Sequence, residues 1–324
     1  MSKRCLNIAT LILATCATVC MSAASYAAYP EKPVKIVVPW EAGGSADMLG
    51  RLVAERLGKY TGQSFVVENK PGASGNIGTQ QVARSAPDGY TLVLGSMSTH
   101  ILQPAIGLKG PFQPIDDFTP IARLGFITNV LAVRSELPVS SAGELIDAAK
   151  KQPEGLTYAS AGNGSFNHLS GALFEQLAGI RLLHVPYKGG SKAALSTASA
   201  ETDVVFSSLG LVKPYVDSGK LKILAVAEGQ ASPLLPGVPT VADVAPGYRV
   251  SVWYALLGPK GLPQDVTAAL DKAMHDLNND SEIRSQLARN GFDLNVETGE
   301  TFKEEMRSDT EQWTEFSRKH GIAP

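Results

Sequence analysis

The stretch Pro39-Trp40-Glu41-Ala42-Gly43-Gly44-Ser45-Ala46-Asp47 carries residue types suited to holding an anion. It follows the β-branched run Val34-Lys35-Ile36-Val37-Val38 and leads into a helical pattern, so it is a strand-to-helix turn. Gly43 and Gly44 allow backbone angles closed to other residues and let a ligand approach main-chain N–H groups. A helix beginning near Ala46 adds unpaired N–H groups and the positive end of its dipole, which makes an anion site. The lysine of a nucleotide P-loop and the three spaced glycines of a dinucleotide fingerprint are both missing, which leaves a small carboxylate as the fitting anion. Two glycines after a strand also serve a plain tight turn. Asp47, counted with the loop as a candidate, complements its own helix N-terminus.

A second loop repeats the device. The run Leu156–Ser160 reads as a strand, followed by Ala161-Gly162-Asn163-Gly164-Ser165 and a helix from about Phe166 or Asn167. Two such loops could grip one carboxylate from opposite sides, with closure of two lobes as the binding motion. Around them stand further candidates: His168 as a clamp on ligand or water, or a hydrogen bond within its own loop; Tyr187 at a strand end; and Ser74, Ser96 and Ser98 at strand ends of the first half. Asp203 opens a strand, where it could meet a ligand ammonium or cap the strand. A hydrolase built on Ser165 and His168 lacks a third residue to orient the histidine. No nucleophile elbow or zinc-protease motif is present, and the five histidines are not spaced as metal ligands. The expectation is a binding protein with no catalytic residue, metal or cofactor.

These loops need a scaffold of alternating strands and helices. Val34–Val38, a helical stripe from Leu49 to Tyr60, Phe65–Val67, a helix near 79–85 and Tyr90–Leu94 give β-α-β-α-β, an α/β doubly wound half. The alternation restarts after about residue 127 and runs through strands Asn129–Val133, Leu156–Ser160, Leu182–Val185, Val204–Phe206 and Leu221–Ala227. From about Val250 the chain changes to a strand, Trp253–Leu257, and then helices. One starts at Pro263 with Val266, Leu270, Ala273, Met274 and Leu277 as its buried stripe, and the last carries a capping-box pattern, Thr301-x-x-Glu304. Those helices have few strands of their own to cover, so they are expected to return to the first half. The expected domains are 28–126 with 251–324, and 127–250, joined by two crossings with a ligand cleft between them.

Residues 1–27 have the charged, apolar, small-residue order of a secretory signal peptide. All three cysteines, Cys5, Cys16 and Cys20, lie in it, so the mature chain would be thiol-free. Lipidation at Cys16 is the competing reading; Thr15 fits that pattern poorly. Loss of the leader takes 29 basic residues to 27 against 31 acidic ones, a net charge of −4 that argues against a nucleic-acid partner.

The ordered segments Tyr29-Pro30-x-Lys32-Pro33-Val34-Lys35-Ile36-Val37-Val38-Pro39, Gly43-Gly44-Ser45-x-Asp47, Val67-Glu68-Asn69-Lys70-Pro71-Gly72-Ala73-x-Gly75-Asn76-Ile77-Gly78, Pro87-Asp88-Gly89-Tyr90-Thr91-Leu92, Tyr158-Ala159-Ser160-x-Gly162-x-Gly164-Ser165-x-x-His168-Leu169 and His184-Val185-Pro186-Tyr187-Lys188-Gly189 resemble the Bug-type substrate-binding proteins of tripartite tricarboxylate transporters. The resemblance implies a two-lobed periplasmic-binding-protein fold (type II) and an extracytoplasmic receptor; the leader points to the periplasm, and a closing two-lobed receptor works as a monomer. Such a receptor captures a small organic acid or amino acid between the two Gly-rich loops and delivers it to membrane transporter subunits. A receptor of this shape could instead report to a membrane sensor kinase. Many relatives carry a small residue or proline where this chain has Glu41. If Glu41 faces the cleft, the ligand should bring a donor or positive charge to it, which favours a nitrogen-containing compound. Trp40 offers such a ligand an aromatic wall or packs the cleft floor.

Overall fold

The computed structural model describes residues 29–108, 110–152, 155–248 and 250–321. The expected leader, its cysteines and the Cys16 lipidation reading lie outside the described residues.

The first lobe starts with β1 (Val34–Val38), followed by α1 (Ser45–Thr61) and β2 (Phe65–Asn69). Helix α1 lies across β2 and β1 and buries Leu49, Val53 and Leu57, one stripe at helical spacing. Helix α2 (Asn76–Ala83) and β3 (Thr91–Ser96) follow, and β1 pairs in parallel with both β2 and β3. Strand β4 (Phe118–Ile127) brings the chain to the first crossing, and β5 (Asn129–Arg134) opens the second lobe. That lobe continues with α3 (Ala142–Lys151), β6 (Leu156–Ser160), α4 (Phe166–Ala178), β7 (Leu182–Pro186) and α5 (Gly190–Ala198). It ends with β8 (Val204–Ser208), α6 (Leu209–Asp217) and β9 (Leu221–Val226). The chain then returns through β10 (Val252–Pro259), α7 (Gln264–Asn279), α8 (Ser281–Arg289), β11 (Phe292–Thr298) and α9 (Gly299–His320).

The strands form a six-stranded sheet, β11-β4-β10-β3-β1-β2, and a five-stranded one, β7-β6-β8-β5-β9. Inserting β10 between β3 and β4 covers apolar surface on both of its faces, and buried contacts then fasten the C-terminal segment to the same lobe. Trp253 Nε1 donates to Asp309 at 2.9 Å, Arg123 pairs with Glu305 at 2.9 Å, and Arg56 reaches Asp280 and Glu282.

The structure departs from the sequence reading in four places. Strands β4 and β11 were not expected. Pro120 and two register shifts against β10 interrupt the pattern of β4, and β11 is an edge strand of only partial burial. They approach closely because Gly125 has no side chain: a Cβ there would lie 2.1 Å from Asp293 O. In the second sheet β5 runs antiparallel to both neighbours, so the alternation there is not wholly parallel. The pattern Thr301-x-x-Glu304 does not start α9, which begins three residues earlier with Thr298 as its N-cap. Pro263 is the N-cap of α7 rather than its first residue.

Candidate functional site

Four helices of the two lobes start at one place. Helices α1, α4, α5 and α6 each begin where a strand of a sheet ends, and Gly44-Ser45, Ser165-Phe166, Gly189-Gly190 and Ser208 all line a cavity of about 160 Å³ between the lobes. A helix leaves its first N–H groups without intrahelical acceptors, and a side-chain cap normally takes one of them. Only α4 has such a cap, Ser165 Oγ accepting from His168 N at 3.3 Å; α1, α5 and α6 have none. Three uncapped helix ends directed at one cavity create a positive field and offer donors to an anion.

Two side chains add to this. Trp40 Nε1 and Ser207 Oγ are buried on the wall, and neither has a hydrogen-bond partner among the described residues. Leaving a buried donor unpaired is costly, so either atom would gain from a ligand oxygen brought within its reach. Charge on the wall comes from Glu41, Lys188 and Lys192. Glu41 faces the cavity and accepts an ion pair from Lys192 Nζ at 2.8 Å, across the two lobes. Its charge is therefore already met, which removes the reason to require a cationic group on the ligand.

Four hydrogen bonds join the lobes near the cavity. Ser45 Oγ lies 2.5 Å from Ser208 Oγ, Ser191 Oγ donates to Gly43 O at 3.0 Å, Ser74 Oγ to Asn163 O at 2.5 Å, and Phe166 N to Ser98 Oγ at 3.2 Å.

Of the sequence candidates, Trp40, Glu41, Ala42, Gly44, Ser98 and Ser165 line the cavity. Gly43 and Asp47 lie behind it. Gly43 takes a left-handed φ of 80° and donates its N–H to Asp47, which also accepts from Arg51 and Asn69; Asn69 in turn holds Trp40 O. Burial opposes the charge on Asp47, but those donors outweigh it and hold its carboxyl below the usual range. Asp47 is thus a positioning residue for the loop. Gly162, Asn163, Gly164 and Ser74 form the rim contact rather than the wall.

Four candidates lie off the cavity wall, and for His168 this is the loop hydrogen bond expected as its alternative. Asp203 sits at the opposite end of β8 from the cavity, bonded to Arg134 and Thr157. Ser96 is buried away from the wall, Tyr187 points to Glu201, and His168 supports its own loop by accepting from Gly164 N at 3.2 Å. The ring of His168 therefore does not activate Ser165, whose hydroxyl is used as the helix cap. Sequence reasoning missed Ser191, Lys192, Ser207 and Ser208, whose signal is only that they lie at or shortly after strand ends. It also missed Asn129 and Tyr254, which enter the wall through antiparallel strands.

The Gly162–Gly164 loop rests on a histidine pair. His168 and His184 stack at 4.3 Å, and His184 Nε2 meets Ser160 Oγ at 2.6 Å. Burial lowers both pKa values, that of His184 to about 4 with a further push from His168. Above pH 6.5 both folded and unfolded chains hold His184 neutral; between 6.5 and about 4 only the unfolded chain takes up its proton, so stability falls as pH falls, and the lowered pKa of His168 acts with the same sign. Glu228, raised by burial to about 7, titrates with the opposite sign in part of that window. Replacing His184 by glutamine should therefore flatten the acid side of a melting-temperature profile relative to wild type. An unchanged slope would show that His184 is not the depressed group.

The fold and the site together define a two-lobed solute-binding protein of the periplasmic-binding-protein type. The chain belongs to the tripartite tricarboxylate transporter family receptors, whose model matches residues 49–321, and this is a family of receptors rather than enzymes. It is 30% identical to protein BugT of Bordetella pertussis over 90% of each chain. Among solved structures it resembles R. palustris Rpa4515 with adipate (TM-score 0.87, 31% identity, 91% of this chain and 99% of that one). It also resembles MatC of Rhodopseudomonas palustris with bound malate (TM-score 0.82, 28% identity, 89% and 99%). Among the described residues no helix is long and apolar enough to cross a membrane, and no acidic, histidine or cysteine group could hold a metal.

Proposed function

We propose that this chain is a periplasmic receptor that captures a small organic carboxylate in the cleft and presents it to the membrane subunits of a tripartite tricarboxylate-type transporter. On this reading it is secreted by means of residues 1–27 and works as a monomer, with lobes 28–126 plus 251–324 and 127–250 closing on the ligand. The observation that carries the reading is that three uncapped helix N-termini open on one cavity whose lining also includes Trp40 and Ser207, each with a polar atom unpartnered among the described residues. Those groups offer N–H and O–H donors in a positive field, the complement of a carboxylate. Adipate in Rpa4515 and malate in MatC support the same ligand class.

The test is a thermal-shift series on residues 28–324 against mono-, di- and tricarboxylates, amino acids and neutral amides. A ligand present at a hundred times its dissociation constant stabilises the folded state by ~2.7 kcal/mol, a readable shift. At least one carboxylate is expected to raise the melting temperature. A response confined to neutral amides, or no response at all, would sink the proposal.

A further inference from the structure

One ion pair between the lobes stands on the cavity wall. Glu41 stands in the turn after β1 and Lys192 in the first turn of α5; both line the cavity, and their charged atoms are 2.8 Å apart. Beside the pair the two loops are also joined by Ser191 Oγ, which donates to Gly43 O. The side chains are 54% and 34% exposed for Lys192 and Glu41, so the pair is of the exposed kind that contributes little to stability by itself. Its placement matters more for the charge of the site. Lys188 is the other charged side chain on the wall. With Lys192 already matched by Glu41, Lys188 and the helix N-termini remain to balance a ligand, which suits one carboxylate. A second carboxylate would have to take Lys192 from Glu41 and then sit beside the displaced Glu41 charge, and like charges at that range repel.

We infer that Glu41, by occupying Lys192, leaves Lys188 as the one unmatched charged side chain among the described residues of the wall and so makes the cavity select ligands with a single carboxylate over dicarboxylates of the same chain length. This rests on the receptor reading above and specifies its ligand class.

Calorimetric titration of chain-matched acids tests it, with butanoate against succinate and pentanoate against glutarate, on wild type, Glu41→Gln, Lys192→Gln and the double variant, each checked for folding by its melting curve. Wild type should favour the monocarboxylate of each pair. Glu41→Gln should move the dicarboxylate-to-monocarboxylate affinity ratio about tenfold toward the dicarboxylate, the double variant should lose that gain, and Lys192→Gln should move the ratio the other way. A wild type that prefers dicarboxylates, or a ratio that Glu41→Gln leaves within about twofold, overturns the inference. If neither acid of any pair binds the folded wild type, the receptor reading falls first and takes this inference with it.

Discussion

Replacing Trp40 by phenylalanine should weaken carboxylate binding by about 10- to 100-fold while leaving the ligand-free protein as stable or slightly more so. The two effects have one cause. The indole N–H is buried on the cavity wall with no partner among the described residues, so the folded protein carries the cost of a desolvated donor. A carboxylate oxygen would relieve that cost with a charge-assisted bond, a class worth about 1.5–3 kcal/mol. Phenylalanine keeps an aromatic ring on the wall and removes the N–H. Titration calorimetry gives the affinity and a ligand-free melt gives the stability. A loss of affinity under about threefold would mean that the ligand does not use Nε1. Ser207→Ala should change both quantities in the same directions, because Ser207 Oγ is likewise buried and unpaired.

The largest loss of stability is expected from Trp253→Ala. Trp253, the second residue of β10, is 1% exposed, packs edge-on against Phe302 of α9 at 5.2 Å and donates to Asp309. Truncating a buried tryptophan costs about 3–5 kcal/mol from the cavity it leaves. The change also takes the donor from Asp309, whose carboxyl burial already pushes above the usual range. Loss of packing between β10 and α9 should lower the melting temperature by about 10 °C, measured by calorimetry. Trp253→Phe separates the two contributions: it restores most of the volume and still leaves Asp309 without its indole partner. If the two variants melt together, the hydrogen bond outweighs the packing; a phenylalanine variant close to wild type would assign the loss to the cavity.

Much of this architecture was legible because local rules apply where the chain is buried on both sides. The run Val34–Val38 reads as a strand since parallel strands covered on both faces are continuously apolar, and the stripes of α1 and α7 follow from helical spacing alone. Strand β4 was hidden by Pro120 and by register shifts that break its period. Strand β11 has a visible apolar alternation at Phe292 and Leu294, but it lies between two helical patterns and its later residues are only half-buried.

The candidate site divides along the same line. By itself the sequence determined that glycines and serines follow strands at 43–45 and 162–165, because the turn from a strand into a helix needs those residue types nearby. Tertiary structure decided which of them face the ligand cavity. Glu41 drew attention as a lone acid in a glycine loop, yet its partner Lys192 is 151 positions away and belongs to the other lobe. Asp203 looked equally well placed, but a strand has two ends and parallel pairing of β8 with β6 puts this acid at the wrong one. Asn129 and Tyr254 enter the wall because β5 and β10 run antiparallel to their neighbours and so begin at the edge where parallel strands end. Strand direction depends on pairing between segments far apart in the chain, and local residue patterns do not encode it.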